Sequence, residues 1–216
     1  LCHALADAYA EGAQDAGHTA RILAVAHQDF PLLSSQQDWE HGAVPPSLVP
    51  AQEDIRWAEH IVIVFPLWLG DMPAVLKGFL EQVLRPGFAF VRKDGSATFT
   101  EKGLTGRSAR VVVTMGMPSL AYRWYFRAHS LKALERNILG FIGFAPIHET
   151  LVGSVEQLGE GGVARWQAKL RRLGRDSVDI IHLHNPLRAF EPPDDSHDLP
   201  VLDMMEKVRI VMADLV

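Results

Sequence analysis

The stretch IVIVFPLWLGDMPAVLKGFL, residues 61–80, decides the fold. Its first five residues are apolar and mostly β-branched, which is typical of a strand covered on both faces. Pro66 ends that run, and from Val75 onward apolar residues recur at helical spacing. A buried strand followed closely by an amphipathic helix predicts one unit of an α/β sheet.

The same alternation continues along the chain. Strands are predicted at 20–26, 60–65, 109–116 and 148–153, and helices at 1–16, 51–58, 75–84, 130–142 and 162–173. The intervening residues 85–106 predict a long loop that contains a small hairpin. Alternating strands and helices indicate a parallel sheet, and such sheets bind ligands at the carboxyl ends of their strands.

Composition narrows the classes of function. The 216 residues are 48% hydrophobic and 22% charged, with a formal net charge of −5, which is typical of a globular protein and argues against general nucleic-acid binding. No apolar run reaches the roughly 18 residues of a membrane span. Cys2 is the single cysteine, so no intramolecular disulfide can form and a reducing cytoplasm is expected.

Two strand ends have the character of a ligand site. Residues 66–70, PLWLG, leave the first buried strand, and residues 114–126, TMGMPSLAYRWYF, leave the next. The first loop could simply be an apolar strand exit. Together, however, an apolar loop and a loop with Gly116 and aromatic residues suit a flat heteroaromatic ligand such as a flavin, whose polar edge needs backbone N–H donors.

These residues also carry a family resemblance. FPLWLGDMPAVLKGFLEQVLRPGFAF (65–90), TMGMPSLAYRWYF (114–126) and LERNILGFIGF (134–144) resemble the flavodoxin-fold NAD(P)H:quinone oxidoreductases, such as DT-diaphorase and the bacterial modulator-of-drug-activity proteins. The resemblance covers about residues 1–173. It implies a flavodoxin-like α/β fold with a doubly wound parallel sheet in the order 2-1-3-4-5. It also implies a homodimer that holds FAD or FMN and passes hydride from NAD(P)H to a quinone-like acceptor.

The resemblance assigns the site residues. Those that would contact the flavin or its phosphate are Leu1, Cys2, Gln52, Pro66, Leu67, Trp68, Leu69, Thr114, Met115, Gly116 and Tyr122. Tyr122 would hydrogen-bond the carbonyl edge of the ring and help handle charge or a proton. His129 lies one residue from the register of the family's active-site histidine, and Tyr122 and His129 are the two catalytic candidates. A metal site is not predicted.

The first residues of the chain resemble the end of a phosphate-binding turn. Leu1 and Cys2 match the last residues of the family's phosphate-binding turn, which ends at a helix N-terminus where N–H groups favour phosphate. The first strand, which is central in this order of strands, is therefore expected to be missing from this chain, with further sequence upstream.

The tail follows a different pattern. Residues 1–174 are predicted as the flavin-binding domain and 175–216 as a C-terminal extension, a fragment or a fusion. Residues 169–187, KLRRLGRDSVDIIHLHNPL, resemble the fourth barrel strand of the aldo-keto reductases, in which His184 would polarise a carbonyl. A strand is predicted at 177–184, with the hypothesis that it fills the vacant central position. The last residues, 201–216, predict an amphipathic helix.

The resulting function is a flavin-dependent NAD(P)H oxidoreductase that reduces a quinone or similar acceptor. The alternative is a flavodoxin-fold regulatory subunit of a partner such as a potassium-efflux transporter. Two further interpretations stay open: an incomplete chain that binds nothing, and a carbonyl reductase based on the tail.

Overall fold

Five parallel strands form the central sheet of the computed structural model, which describes residues 1–92, 99–183 and 207–212. The strands are β1 (Thr19–Ala24), β2 (His60–Pro66), β5 (Ser108–Thr114), β6 (Ile147–Val152) and β7 (Lys207–Met212), and their spatial order is β1-β7-β2-β5-β6. A separate antiparallel hairpin, β3 (Phe90–Arg92) with β4 (Phe99–Lys102), confirms the hairpin predicted within residues 85–106.

Helices cover both faces of the sheet. One face carries α1 (Cys2–Asp15) and α8 (Gly159–Leu183). The other carries α3 (Val49–Trp57), α4 (Ala74–Val83) and a continuous helical segment made of α6 (His129–Ala133), a π-helical turn (Leu134–Leu139) and α7 (Gly140–Ile142). Two short helices, α2 (Gln36–His41) and α5 (Ser119–Trp124), lie in the connections.

The alternation along β2 shows how the sequence produces two cores. Ile61, Ile63 and Phe65 pack into the core under α3 and α4, whereas Val62 and Val64 pack into the core under α1 and α8. Successive side chains of a strand point to opposite faces, so an unbroken apolar run is what a strand between two helical layers requires. The predicted flavodoxin-like α/β arrangement is confirmed.

The central position of the sheet is occupied by the last strand of the chain. β7 pairs in parallel with β1 on one side and with β2 on the other, and Ile210 lies opposite both Ile22 and Val62. The expectation of a vacant first-strand position was therefore wrong. So was the predicted terminal helix over 207–212, because two rows of backbone hydrogen bonds to neighbouring strands outweigh a helical apolar spacing.

The segment expected to fill that position lies elsewhere. Residues 177–183, predicted as a strand, continue α8 to Leu183, so the hypothesis that this segment is the central strand was wrong; residue 184 lies outside the described residues. A short β-branched run does not by itself distinguish a strand from a helix that is already under way. The predicted boundary at residue 174 falls inside α8, and β7 from beyond it lies in the same sheet.

Candidate active site

A tight turn follows β2 at the carboxyl edge of the sheet. Trp68 and Asp71 exchange two backbone hydrogen bonds of 2.9 Å each, and the two residues between them have positive φ, 48° at Leu69 and 83° at Gly70. Positive φ at both central residues is the geometry of a two-residue hairpin turn. Leu67 N–H donates to the Thr114 carbonyl at 2.7 Å, which fixes this turn beside the end of β5.

The end of β5 supplies the second loop. Thr114 and Met115 are buried, and Met115 N–H donates to the Val152 carbonyl at 2.9 Å. Gly116 is exposed, and a Cβ placed on it would meet the Glu156 carboxylate first, at 3.5 Å. The missing side chain therefore leaves the backbone of Gly116 open to a ligand.

Backbone donors remain available in both of these loops. Leu67, Trp68 and Met115 use their N–H groups inside the protein, as described above. By contrast, the N–H groups of Leu69 and Gly70 in the first loop and of Gly116 and Met117 in the second donate to no acceptor among the residues that the structure describes. Each loop therefore presents free N–H donors, and the two loops follow neighbouring strands.

The start of α1 lies against the same edge. The Cys2 sulfur is 3.4 Å from the Thr114 hydroxyl oxygen, and the Leu1 carbonyl accepts the first helical hydrogen bond from Leu5 N–H at 3.0 Å. The structure thus brings the N-terminus of a 14-residue helix to the predicted flavin loops. Unpaired N–H groups and the helix dipole make such a terminus favourable for an anion.

A third loop, which the sequence analysis missed, completes this edge. After β6, Ser154 N–H donates to the Met117 carbonyl at 3.0 Å and Val155 N–H to the Met115 carbonyl at 3.2 Å. The exposed Glu156 carboxylate thereby stands beside Gly116. The available signal was the polar run GSVEQ directly after a predicted strand.

Tyr122 forms hydrogen bonds with other residues of this chain. Its side chain is 2% exposed, and its hydroxyl oxygen lies 2.7 Å from the Ser130 hydroxyl and accepts from Leu131 N–H at 3.2 Å. In this structure the phenol therefore holds α5 against the start of α6. Its predicted contact with a flavin ring stays a prediction.

His129 and Gln52 are also outside the strand-end loops. His129 is the exposed first residue of α6 and follows two residues with positive φ, Arg127 and Ala128. Gln52 donates from Nε2 to the Val83 carbonyl at 2.9 Å, and Val83 is the last residue of α4, at the end away from the turn. The amide of Gln52 thus closes a helix C-terminus.

Large apolar side chains are exposed on and after these loops. Leu69 is fully exposed, Tyr125 is 82% exposed and Trp124 77% exposed, and Trp68, Leu120 and Phe126 are also exposed. The rings of Tyr125 and Phe126 stack edge-to-face with their centroids 4.9 Å apart. A concentration of exposed aromatic and aliphatic residues is unusual on a free surface and is typical of a ligand or protein contact.

A buried polar cluster lies at the opposite, amino edge of the sheet. His60 Nε2 is 3.1 Å from the Tyr9 hydroxyl oxygen, and His60 Nδ1 is 2.7 Å from the Ser108 hydroxyl oxygen. Burial, followed by the positive charge of Arg110 and by His148, lowers the pKa of His60 to about 3. The imidazole is therefore neutral at physiological pH, and this cluster is distinct from the strand-end loops.

The described residues hold neither a metal-binding cluster nor a membrane-spanning helix. They contain no group of three or more His, Cys, Asp or Glu side chains positioned to hold a metal ion. Within the same described part of the chain, no helix combines the length and apolar character needed to cross a membrane.

Comparison with known proteins establishes the family. A profile of the Flavodoxin_2 family, described as a flavodoxin-like fold, matches residues 1–175, and the chain belongs to this family. An FMN-dependent NADH:quinone oxidoreductase of Nitratidesulfovibrio vulgaris is 30% identical over 189 residues, which cover 76% of this chain and 83% of that protein. NAD(P)H dehydrogenase (quinone) 1 of Rattus norvegicus is 30% identical over 132 residues.

The extent of these matches differs. The rat enzyme is matched over 46% of its length, and an uncharacterised NAD(P)H oxidoreductase of Haemophilus influenzae, 27% identical, over 62%. Among solved structures, an NAD(P)H:quinone oxidoreductase from Methanothermobacter marburgensis superposes with a TM-score of 0.69 at 22% identity, covering 82% of this chain and 91% of that one. This likeness supports the fold.

Proposed function

We propose that this protein is a flavin-dependent NAD(P)H oxidoreductase that reduces a quinone or a similar small acceptor. The observation that carries the proposal is the pair of strand-end loops, which present the N–H groups of Leu69 and Gly116 beside exposed apolar side chains. The family membership and the names of the relatives from Nitratidesulfovibrio and rat support it.

The residues present fit a flavin ring. A flavin supplies a carrier that takes a hydride from NAD(P)H and passes its electrons to the acceptor. The chain would hold the ring between the loop of Pro66, Leu67, Trp68 and Leu69 and the loop of Thr114, Met115 and Gly116. The free N–H groups of the two loops would stabilise negative charge at the polar edge of the ring, and the apolar side chains would exclude water from its faces.

The phosphate of the flavin would lie at the start of α1. Leu1 and Cys2 stand there, and the helix N-terminus attracts an anion. The name of the Nitratidesulfovibrio relative favours FMN over FAD as the flavin. Chromatography of the flavin released by heating a loaded sample would distinguish the two.

A homodimer is the second part of the proposal. The exposed residues Leu120, Trp124, Tyr125 and Phe126 follow the Gly116 loop and leave a large apolar surface in contact with water. A second copy that covered this surface would also enclose the site. Light scattering of the purified chain tests this: a mass near 48 kDa, twice the 24.0 kDa of one chain, supports the dimer, and a mass near 24 kDa contradicts it.

The predicted reducing cytoplasm stays a prediction.

Steady-state reduction of a quinone by NADH and NADPH tests the activity. The sharpest variant is Gly116→Ala, because its methyl group has ordinary van der Waals room in the fold but would occupy the space of a ring placed against the backbone. We expect this variant to fold like the wild type and to lose at least tenfold in flavin affinity. Gly161→Ala, where a Cβ meets nothing within 4 Å, is the matched control.

The outcomes separate the proposed enzyme from its alternative. A flavin-loaded protein that reduces no quinone with either nicotinamide nucleotide would contradict the enzyme and favour the regulatory subunit predicted as the alternative. Unchanged flavin affinity in the Gly116→Ala variant would contradict the placement of the ring.

A further inference from the structure

A second concave site lies beside the edge strand β6. A cleft of about 350 Å³ opens there between α5 and α8. Its polar lining consists of three cationic side chains, two hydroxyls and one carboxylate: Arg110, Arg123, Lys169, Ser119, Thr150 and Glu149. The residues of the proposed flavin loops, 66–70 and 114–116, do not line this cleft.

The floor of the cleft is formed by a buried cationic side chain, that of Arg110. This residue is only 5% exposed, and its recorded hydrogen bond runs from Nη1 to the Thr150 hydroxyl at 3.2 Å. Its Nε is buried and has no hydrogen-bond partner among the described residues. A guanidinium carries five N–H donors and a full positive charge, and burying such a group is costly unless the charge and the donors are satisfied.

The lining of the cleft holds one negatively charged side chain, Glu149. On its own face of the sheet, Arg110 lies near His60 and His148, and a histidine is either neutral or positive. The Glu149 carboxylate forms an ion pair with Arg123, and it stands on the opposite face of β6 from the residues that share a face with Arg110. The one carboxylate of the lining is therefore paired with Arg123, and no second carboxylate lines the cleft to supply the counter-charge that a buried arginine requires.

The rim of the cleft adds a second cation and an aromatic surface. Lys169 is exposed on α8, and its Nζ lies 4.5 Å from the centroid of the Trp166 ring. An arginine at the floor and a lysine at the rim match the chemistry of phosphate and carboxylate groups, which accept several charge-assisted hydrogen bonds at once.

We propose that this cleft binds a small oxyanion, a phosphate or a carboxylate, with Arg110 as its main ligand and Lys169 at its rim. The bound anion supplies the counter-charge for the buried guanidinium. The site is separate from the flavin loops, so its occupancy does not depend on the proposed oxidoreductase activity.

Calorimetric titration of the purified full chain tests this proposal. Inorganic phosphate and acetate are titrated separately in buffers matched in ionic strength with sodium chloride, so that general screening does not contribute. We expect saturable binding of at least one of the two, which also identifies the preferred oxyanion. Arg110→Met should weaken that binding at least tenfold. Arg165→Met, which removes one exposed charge from α8 outside the cleft, should leave it unchanged.

A second readout keeps the test informative. Because Arg110→Met removes an uncompensated charge, its melting temperature in phosphate-free buffer should equal or exceed that of the wild type. Failure of that variant to fold would contradict the inference that the Arg110 charge is uncompensated. Lys169→Gln, a change at an exposed position, tests the binding independently and should weaken it at least threefold. The absence of saturable binding, or equal affinity in the wild type and the cleft variants, would overturn the proposal.

Discussion

At the scale of single residues, Leu69 is the clearest sign of a functional constraint. Its φ is 48°, in a region that L side chains other than asparagine and aspartate seldom adopt, and its side chain is fully exposed. The leucine therefore carries backbone strain of roughly 1 kcal/mol without any packing contribution inside the monomer. The proposed contact with a ligand or with a second copy would give this large apolar residue a role.

Leu69→Gly should separate stability from function. Glycine adopts positive φ without strain, so we expect the free energy of unfolding to rise by about 1 kcal/mol. Flavin affinity should fall several-fold, because the apolar contact is lost. Denaturant unfolding and flavin titration measure the two effects. The control is Leu120→Gly on α5, which should lower stability by about 1 kcal/mol; a loss of stability in Leu69→Gly would contradict this reading of the turn.

Tyr122→Phe distinguishes a structural role from the catalytic role suggested by the resemblance. Removing the hydroxyl leaves Ser130 and Leu131 N–H without their shared partner, so stability should fall by about 1 kcal/mol. Because the hydroxyl is engaged there, we expect kcat for quinone reduction to stay within twofold of the wild type. A tenfold fall in kcat at unchanged stability would instead support the catalytic role.

His60 should make the protein acid-sensitive. Its pKa is about 3 in the folded state against an ordinary value of 6.5. Between pH 3 and pH 6.5 the unfolded chain therefore binds a proton at His60 that the folded protein does not. Stability from this group is therefore complete above pH 6.5 and is lost as the pH falls toward 3. The loss between pH 7 and pH 5 is about 2 kcal/mol.

The variant His60→Gln isolates this contribution. Urea unfolding at pH 7 and pH 5 should show a pH difference about 2 kcal/mol smaller in His60→Gln than in the wild type. Substitution of the exposed His129 by Gln should leave the wild-type pH difference intact. The same pH difference in all three proteins would contradict the assigned protonation of His60.

At the scale of elements, the crossing of α1 and α8 depends on two glycines. A Cβ at Gly12 would lie 1.9 Å from the Arg171 carbonyl oxygen, and a Cβ at Gly174 would lie 2.2 Å from the Tyr9 carbonyl oxygen. The helices therefore approach until backbone contacts backbone. Arg171 adds hydrogen bonds to Asp15 and Glu11 across this crossing.

Gly174→Ala should force the two helices apart. We expect a loss of at least 3 kcal/mol in the free energy of unfolding, because the obstacle is backbone and cannot rotate away. Gly161→Ala is the control in the same helix, where open space and higher helix propensity should raise stability slightly. Thermal unfolding of both variants decides this, and equal melting temperatures would contradict the described packing.

Gly174 also shows which features of the helices could not be predicted from the sequence. The run at 61–65 predicts β2 because its pattern is local, and the helical spacing at 130–142 predicts the α6–α7 segment for the same reason. Gly174 looks like a helix end in sequence, yet it is a contact residue inside α8. Its function depends on Tyr9, which a local pattern does not include.

At the scale of the whole molecule, β7 decides whether the sheet is continuous. It is the neighbour that joins β1 to β2, and β1 pairs with no other strand among those described. Its apolar spacing in sequence suits a helix as well as a strand, so its position could not be predicted from residues 201–216 alone. The two strand-end loops were predictable because each directly follows a strand with an unmistakable local signal.

Ile210→Pro should disrupt the sheet through the backbone alone. Proline has no N–H and cannot complete the ladder of a strand with neighbours on both sides. We expect loss of cooperative unfolding, while Ile210→Val should remain within about 1 kcal/mol of the wild type. Circular dichroism during thermal unfolding provides the measurement. A cooperative transition at the wild-type temperature in the proline variant would show that β7 is not the central strand.

The visible absorption spectrum of the full chain, after addition of excess FMN or FAD and removal of unbound flavin, tests the central claim most directly. The account predicts flavin bands that remain with the protein and bleach on anaerobic addition of NADH or NADPH. A folded protein that retains no flavin, or bound flavin that neither nucleotide reduces, would contradict the claim that these strand-end loops form the site of an NAD(P)H oxidoreductase.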